Sequence, residues 1–199
     1  MKSTNVSRRE LLKGLAAGVS AGAIYQTIPL EAAGQVHRMV KAEYAATASA
    51  GYTAKYFPAH AYQTLRVLCQ TIIPADEKTG GAVEAGAPEF IDLLTGENQE
   101  YQTTLGGGIA WLDATCEGRY GKVYLECTTA QQKEILDLIA YRENARKDPV
   151  LGPGVKFFAL LRKLTADGFF TSEIGIKYLE YIGNTYVAEF PGCPPLPQS

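Results

Sequence analysis

The 199-residue chain has little of what enzymes use for proton transfer or metal binding: its two histidines, His37 and His60, stand 23 residues apart with no second ligand beside either. A Ser-His-Asp triad has only His60 to build on. Four cysteines, Cys69, Cys116, Cys127 and Cys193, fall at spacings of 47, 11 and 66 residues, which match no zinc or iron–sulfur pattern, and no C-x-x-C-H haem site occurs. No convincing period-two alternation appears, so a nucleotide-binding βαβ unit has no strand to start from. Charge of neither sign dominates: 19 basic and 21 acidic residues give a formal net charge of -2, which provides no field for a nucleic acid. The paired carboxylates Asp76 and Glu77 sit beside a loop and read as solvated. These absences argue against a stand-alone enzyme.

What is present begins at the front, with Ser7-Arg8-Arg9-Glu10-Leu11-Leu12-Lys13 followed by a mildly apolar run from Gly14 to Ile28. This is the pattern of a twin-arginine export signal: Lys2, Arg8, Arg9 and Lys13 make a positive start, Leu11 and Leu12 open the apolar stretch, and Pro29 ends it. The stretch is short for a span of roughly 20 residues, and Gly14, Gly18 and Gly22 weaken it further. Ala32-Ala33-Gly34 and Ala46-Thr47-Ala48 both offer small residues for cleavage, so the signal region covers 1–34, or extends as late as 48, or is retained as a weak anchor. The signal implies passage through the twin-arginine translocase into the periplasm, free or membrane-associated. That route carries proteins already folded, usually around a cofactor or a partner, yet nothing downstream offers a cofactor a site.

Beyond the signal remain roughly 150 to 165 residues, enough for one core and too few for two ordinary domains. Residues 35–56 read as a loosely structured linker, and 57–199 as one helical domain. Pro58 sits where a helix starts, and Tyr62, Leu65, Leu68, Cys69, Ile72 and Ile73 recur at helical steps up to Pro74. Pro88 opens a second helix that Gly96 closes. A longer helix spans about Gln99 to Tyr120, interrupted by Gly106-Gly107-Gly108 at roughly 1 kcal/mol per glycine relative to alanine; close approach of another backbone is the expected compensation. No Lys-Ser/Thr pattern follows these glycines, so they are not read as a phosphate cradle. Thr128 with Gln131 forms a capping box before Ile135, Leu138 and Ile139. A strongly apolar helix from Val155 is expected to end at Gly168, and Thr171 or Ser172 to cap a last helix carrying Ile176, Leu179 and Ile182. The class is all-α, about six helices, with an extended proline-rich tail from Phe190 to Pro197.

In an oxidising compartment four cysteines allow two disulfides in three connectivities. Cys116 and Cys127 flank a short Gly-Arg-Tyr-Gly break and form the natural local pair, which leaves Cys69 to Cys193; the alternative keeps one thiol for a partner chain. Aromatic residues concentrate toward the end. Phe157 and Phe158 cannot both face one side of a helix, and Phe169, Phe170, Tyr181, Tyr186 and Phe190 gather around helix ends and the tail, where aromatics serve as anchors for a partner protein.

Leu68-Cys69-Gln70-Thr71-Ile72-Ile73-Pro74-Ala75-Asp76, Gly80-Gly81-Ala82-Val83-Glu84-Ala85-Gly86 and Phe90-Ile91-Asp92 carry a resemblance, together with Phe157 to Ser172, Tyr181-Ile182-Gly183-Asn184 and Pro191-Gly192-Cys193. In order and spacing they resemble the small subunit, subunit 3 or gamma, of gluconate 2-dehydrogenase-type complexes, over about Phe57 to Cys193. The resemblance implies a non-catalytic subunit, with no cofactor or metal of its own, that supplies the export signal for a signal-less large subunit and helps it mature. That large subunit is a glucose-methanol-choline type flavoprotein that holds FAD, oxidises a sugar or polyol hydroxyl, and passes electrons to a cytochrome c subunit or another acceptor. The competing expectation is an independent periplasmic enzyme or sugar-binding protein using the His60 region.

Overall fold

A computed structural model describes residues 29–46, 52–181 and 183; these form helices and connecting turns with no strand among them. The helices are α1 (Leu30–Ala46), α2 (Ala59–Ile72), α3 (Ala87–Gly96), α4 (Gln99–Tyr101), α5 (Gly107–Tyr120), α6 (Thr129–Ile139), α7 (Arg142–Lys147), α8 (Gly152–Phe170) and α9 (Glu173–Tyr178). A π-turn, Gln102–Gly106, joins α4 to α5, so the expected helix from Gln99 to Tyr120 is one rod with a widened turn before its glycines.

Local chemistry sets most of the boundaries. Pro58 is the N-cap of α2, and Pro88 lies in the first turn of α3 behind Gly86, whose φ of 76° sets the chain's entry angle. Thr128 and Gln131 exchange the reciprocal bonds of a capping box at α6. Of the two candidate caps for α9 it is Ser172, whose hydroxyl accepts from the Gly175 N–H at 3.0 Å.

The axis of the molecule is α8, which packs against α2, α3, α5, α6, α7 and α9. Its Phe157, Phe158, Leu161, Leu164, Thr165 and Phe169 are all buried. Neighbours on several sides are why Phe157 and Phe158 both go inward, contrary to the expectation that one of the pair points out. Gly168 does not end α8; it lies inside the helix, where an added Cβ would come within 3.1 Å of both Ala87 and Phe90 of α3.

The glycine cluster has a specific explanation. A Cβ on Gly108 would lie 2.2 Å from the Phe157 ring, and one on Gly154 would lie 2.4 Å from the Trp111 ring. Each rod therefore leaves out a side chain where the other inserts an aromatic ring. What approaches is a side chain rather than the expected backbone, and Gly107, with nothing within 4 Å of a Cβ, takes no part.

Residues 35–46, expected as part of a loose linker, are helical instead: α1 runs through to Ala46 and buries Ala33, Val36 and Val40. The cleavage motif Ala32-Ala33-Gly34 lies within this helix. Ser7, Arg8, Arg9, Leu11, Leu12 and Lys13 of the signal, and the tail with Tyr186, Phe190 and Cys193, lie outside the described residues.

The interlock makes a contrasting pair of substitutions informative. Gly108→Ala should destabilise by about 1–3 kcal/mol, a fall of several degrees in Tm, because Phe157 cannot withdraw from a packed core. Gly107→Ala should be neutral or stabilising by up to about 1 kcal/mol. Thermal melts showing the two equally tolerated would refute the interlock.

Candidate functional site

The most concentrated buried polar chemistry lies on α3, where Glu89 and Asp92 are fully buried one helical turn apart. Asp92 Oδ1 accepts from the backbone N–H groups of Tyr56 at 3.1 Å and Phe57 at 2.9 Å; Oδ2 accepts from the Lys55 N–H at 2.6 Å and the Tyr52 hydroxyl at 2.8 Å. Glu89 Oε1 accepts from the Tyr62 hydroxyl at 2.8 Å and from Arg66 at 3.3 Å. Burial and the neighbouring carboxylates push both tyrosine hydroxyls far above their ordinary pKa, so they serve as donors only. Buried carboxylates so engaged fasten the strap 52–57 and α2 onto α3. They hold the fold together.

His60, the residue on which an enzymatic reading depends, pairs its Nε2 with Asp113 Oδ2 at 2.7 Å on the exposed side of the α2–α5 contact. The other Asp113 oxygen accepts the Tyr124 N–H at 3.0 Å. Among the described residues no Ser, Thr or Cys side chain hydrogen-bonds the His60 ring. Near it, between α2 and α6, runs a half-open groove of about 330 Å³ lined by Ile72, Tyr124, Leu136 and Phe158. Gly106 to Gly108, the other glycine-rich feature, hold the Phe157 ring at Gly108 and form no anion cradle.

The described surface gathers exposed apolar side chains at the α8–α9 corner: Phe170 is 39% exposed, Tyr178 and Leu179 54% each, and Tyr181 46%. Phe170 and Tyr178 lie 6.5 Å apart over Phe169, whose ring meets Phe170 edge-on at 5.1 Å. Of the predicted interface residues, Phe170 and Tyr181 are at the surface, whereas Phe169 is 3% exposed and supports the cluster from beneath. Leu179, which follows the last residue of α9, is outside as well. Here α9 ends after six residues: Glu180 takes a φ of 53° and the Tyr181 N–H returns to the Ile176 carbonyl at 3.2 Å. That reversal brings Tyr178, Leu179 and Tyr181 to one corner, and Glu180, not being glycine, gave no sign of it in the sequence.

The cysteines divide in the same way. Cys69 is fully buried, with its thiol against Thr165 Oγ1 at 3.5 Å and pushed up to about 12 by burial. Cys116 and Cys127 are buried free thiols, and Cys127 Sγ lies 3.8 Å from the Lys122 carbonyl. Among the described residues no group of three His, Cys, Asp or Glu side chains could hold a metal ion, and no helix is long and apolar enough to cross a membrane.

A sequence profile of gluconate 2-dehydrogenase subunit 3 matches residues 59–192, from the first residue of α2 to the proline-rich tail. The chain belongs to the gluconate 2-dehydrogenase subunit 3 family. No curated protein and no solved structure matches it. As a subunit 3 it is an accessory chain of a dehydrogenase complex, and the matched region contains α2, α3, the α5–α8 interlock and the aromatic corner.

Among the described residues of this subunit 3, α1 lies ahead of the matched region. α1 is fastened by His37, whose ring stacks on Phe90 at 5.1 Å while Nε2 meets Thr171 Oγ1 at 2.9 Å. Thr171 immediately precedes the cap of α9, so α1 is fixed to the corner that carries the aromatic patch. Burial lowers the His37 pKa, opposed by its hydrogen bond to the Gly168 carbonyl. With the folded value below the unfolded one of about 6.5, the unfolded chain binds more protons as pH falls through that region, and stability is lost on the acid side. His37→Gln should therefore flatten the decline of Tm between pH 7 and pH 5 relative to the unaltered chain; parallel profiles would show that His37 contributes nothing to it.

Proposed function

We propose that this chain is the non-catalytic small subunit of an exported FAD-dependent sugar or polyol dehydrogenase, acting as escort and structural partner of its flavoprotein. The observation that carries the proposal is the family match, joined to a leader whose Arg8 and Arg9 precede a helix fixed to the core. A flavoprotein has to fold and take up FAD inside the cell, so one twin-arginine leader on a tightly bound escort serves both chains. The partner is a glucose-methanol-choline type large subunit that holds the FAD, oxidises the hydroxyl and delivers electrons to a cytochrome c subunit or another acceptor. Both chains then reside in the periplasm, free or membrane-associated.

Phe170, Tyr178, Leu179 and Tyr181 supply the grip on that partner, with Tyr186 and Phe190 of the tail as its continuation. Aromatic side chains of this kind give large contact area at small entropic cost, and truncating one such anchor weakens binding by about 2 kcal/mol, roughly thirtyfold. The alternative, a periplasmic enzyme or sugar-binding protein using the His60 region, predicts sugar binding or turnover by the isolated chain.

Co-expression with a flavoprotein large subunit of this class tests both parts. Arg8→Lys with Arg9→Lys should retain the flavoprotein and its dehydrogenase activity in the cytoplasm, with periplasmic activity reduced at least tenfold; normal export of the flavoprotein in that variant sinks the escort role. Tyr178→Asp with Leu179→Asp should reduce co-purification of the flavoprotein at least tenfold while the small subunit keeps its helical circular dichroism. Undiminished co-purification moves the grip elsewhere.

A further inference from the structure

The first cleavage motif, Ala32-Ala33-Gly34, does not lie in exposed chain. It sits in the opening turns of α1, where the Ala33 N–H already bonds the Pro29 carbonyl at 2.9 Å. The bond to be cut, between Gly34 and Gln35, is half-buried and stands between Ala33 and Val36, which are 0% and 1% exposed and belong to the core. Just beyond it His37 stacks on Phe90 and meets Thr171. Val40 reaches the N-cap of α3, its Cγ1 lying 3.5 Å from where a Cβ on Gly86 would be. Glu43 pairs with Lys55 of the strap at 2.9 Å. The helix is thus tied to the body on both sides of the motif.

A peptidase takes its substrate in extended form over several residues on each side of the cut. For that, α1 would have to open from Ala32 to His37 and draw Ala33 and Val36 out of the core. Cargo of the twin-arginine route is folded before it crosses, so α1 is packed before a peptidase meets it. The second motif, Ala46-Thr47-Ala48, begins at the last residue of α1 and ends 20 residues past Ile28, where the apolar run stops. It therefore stands at the far end of a helix about 25 Å long, and a cut there would detach Ala33, Val36, His37 and Val40 together.

We propose that the leader is not removed: the packing of α1 withholds its cleavage motif, and the mature subunit keeps residues 1–28 as an amino-terminal anchor in the lipid bilayer. Arg8, Arg9 and Lys13 then stay on the cytoplasmic side while the helical body stands on the other. The run Gly14 to Ile28 has 15 residues against about 20 for a full span, a shortfall that local thinning of the bilayer and snorkelling of Lys13 accommodate. An anchor so placed holds the flavoprotein at the membrane through its small subunit. The anchor rests on the export role proposed above, whereas protection of the motif rests on the packing of α1 alone.

Exported with its own leader and its flavoprotein, the full-length chain should be recovered in the membrane fraction at a mass that includes residues 1–28. High salt should leave it there and detergent should release it. A mature amino terminus at Gln35 or at Ser49, or a full-length subunit that salt alone releases, would overturn the proposal. A digest with purified signal peptidase in detergent micelles tests the protection directly, comparing the folded chain with Val40→Asp. This substitution puts a charge into the α1–α3 contact, six residues from the cut, and leaves the motif itself unaltered. The variant should be cut after Gly34 about tenfold faster or more. Equal rates, including no cleavage of either chain, would show that α1 gives no protection. A chain confined to the cytoplasm would bring down the anchor along with the export role, and a protected motif in the digest would then still stand.

Discussion

Two rings set into two missing side chains, Phe157 at Gly108 and Trp111 at Gly154, bring α5 and α8 closer than any larger residue would permit. The cost of glycine within a helix is offset here by buried aromatic area, since the rings occupy the volume that Cβ atoms would have taken. With that distance fixed, α8 is left with neighbours on several sides and becomes the axis of the fold. The π-turn belongs to the same arrangement: one widened turn ahead of Gly107 lets Leu105 remain buried along with Ile109, Leu112 and Cys116. Gly168 repeats the device at the other end of α8, where Ala87 and Phe90 press in.

Against this apolar axis the polar interior is used for fastening. Asp92 gathers three backbone N–H groups and a hydroxyl from a strap that forms no regular structure of its own, and in doing so gives those N–H groups the acceptors a helix or sheet would have supplied. Its negative charge is tolerated because every contact is charge-assisted. The result is a body in which Asp92 and Glu89 tie the strap 52–57 and α2 to α3.

Most of the helical outline was legible because local signals determine it: Pro58 and Pro88 at helix starts, the Thr128–Gln131 box, and the apolar steps of α2 and α6 act within a few residues of one another. α1 was missed because its buried face consists of Ala33, Val36 and Val40, whose small side chains leave a weak periodic trace, and its stability comes from contact with α3. Gly168 was read as a stop because glycine so often ends a helix, whereas its role is set by Phe90, some 78 positions earlier in the chain. The aromatic corner was half legible. A concentration of aromatics near the end is a property of composition, but which of them face outward depends on the reversal at Glu180.

The placement of α1 gives the proposed role a mechanical basis. An escort that draws a bound flavoprotein across a membrane has to transmit force from the leader to the grip without unfolding between them. Through α1 the path from residue 30 to the aromatic corner is short: Val36 and Val40 are buried, His37 stacks on Phe90, and Nε2 meets Thr171 beside the cap of α9. A loose linker would have made leader and body independent, with the partner held by a domain that the signal merely tows. With α1 docked, the segment following the signal belongs to the folded unit, and cleavage at Ala32-Ala33-Gly34 would remove Ala33 from a packed interface. Under the proposed role, the helix that begins where the signal ends is thus part of the grip on the cargo.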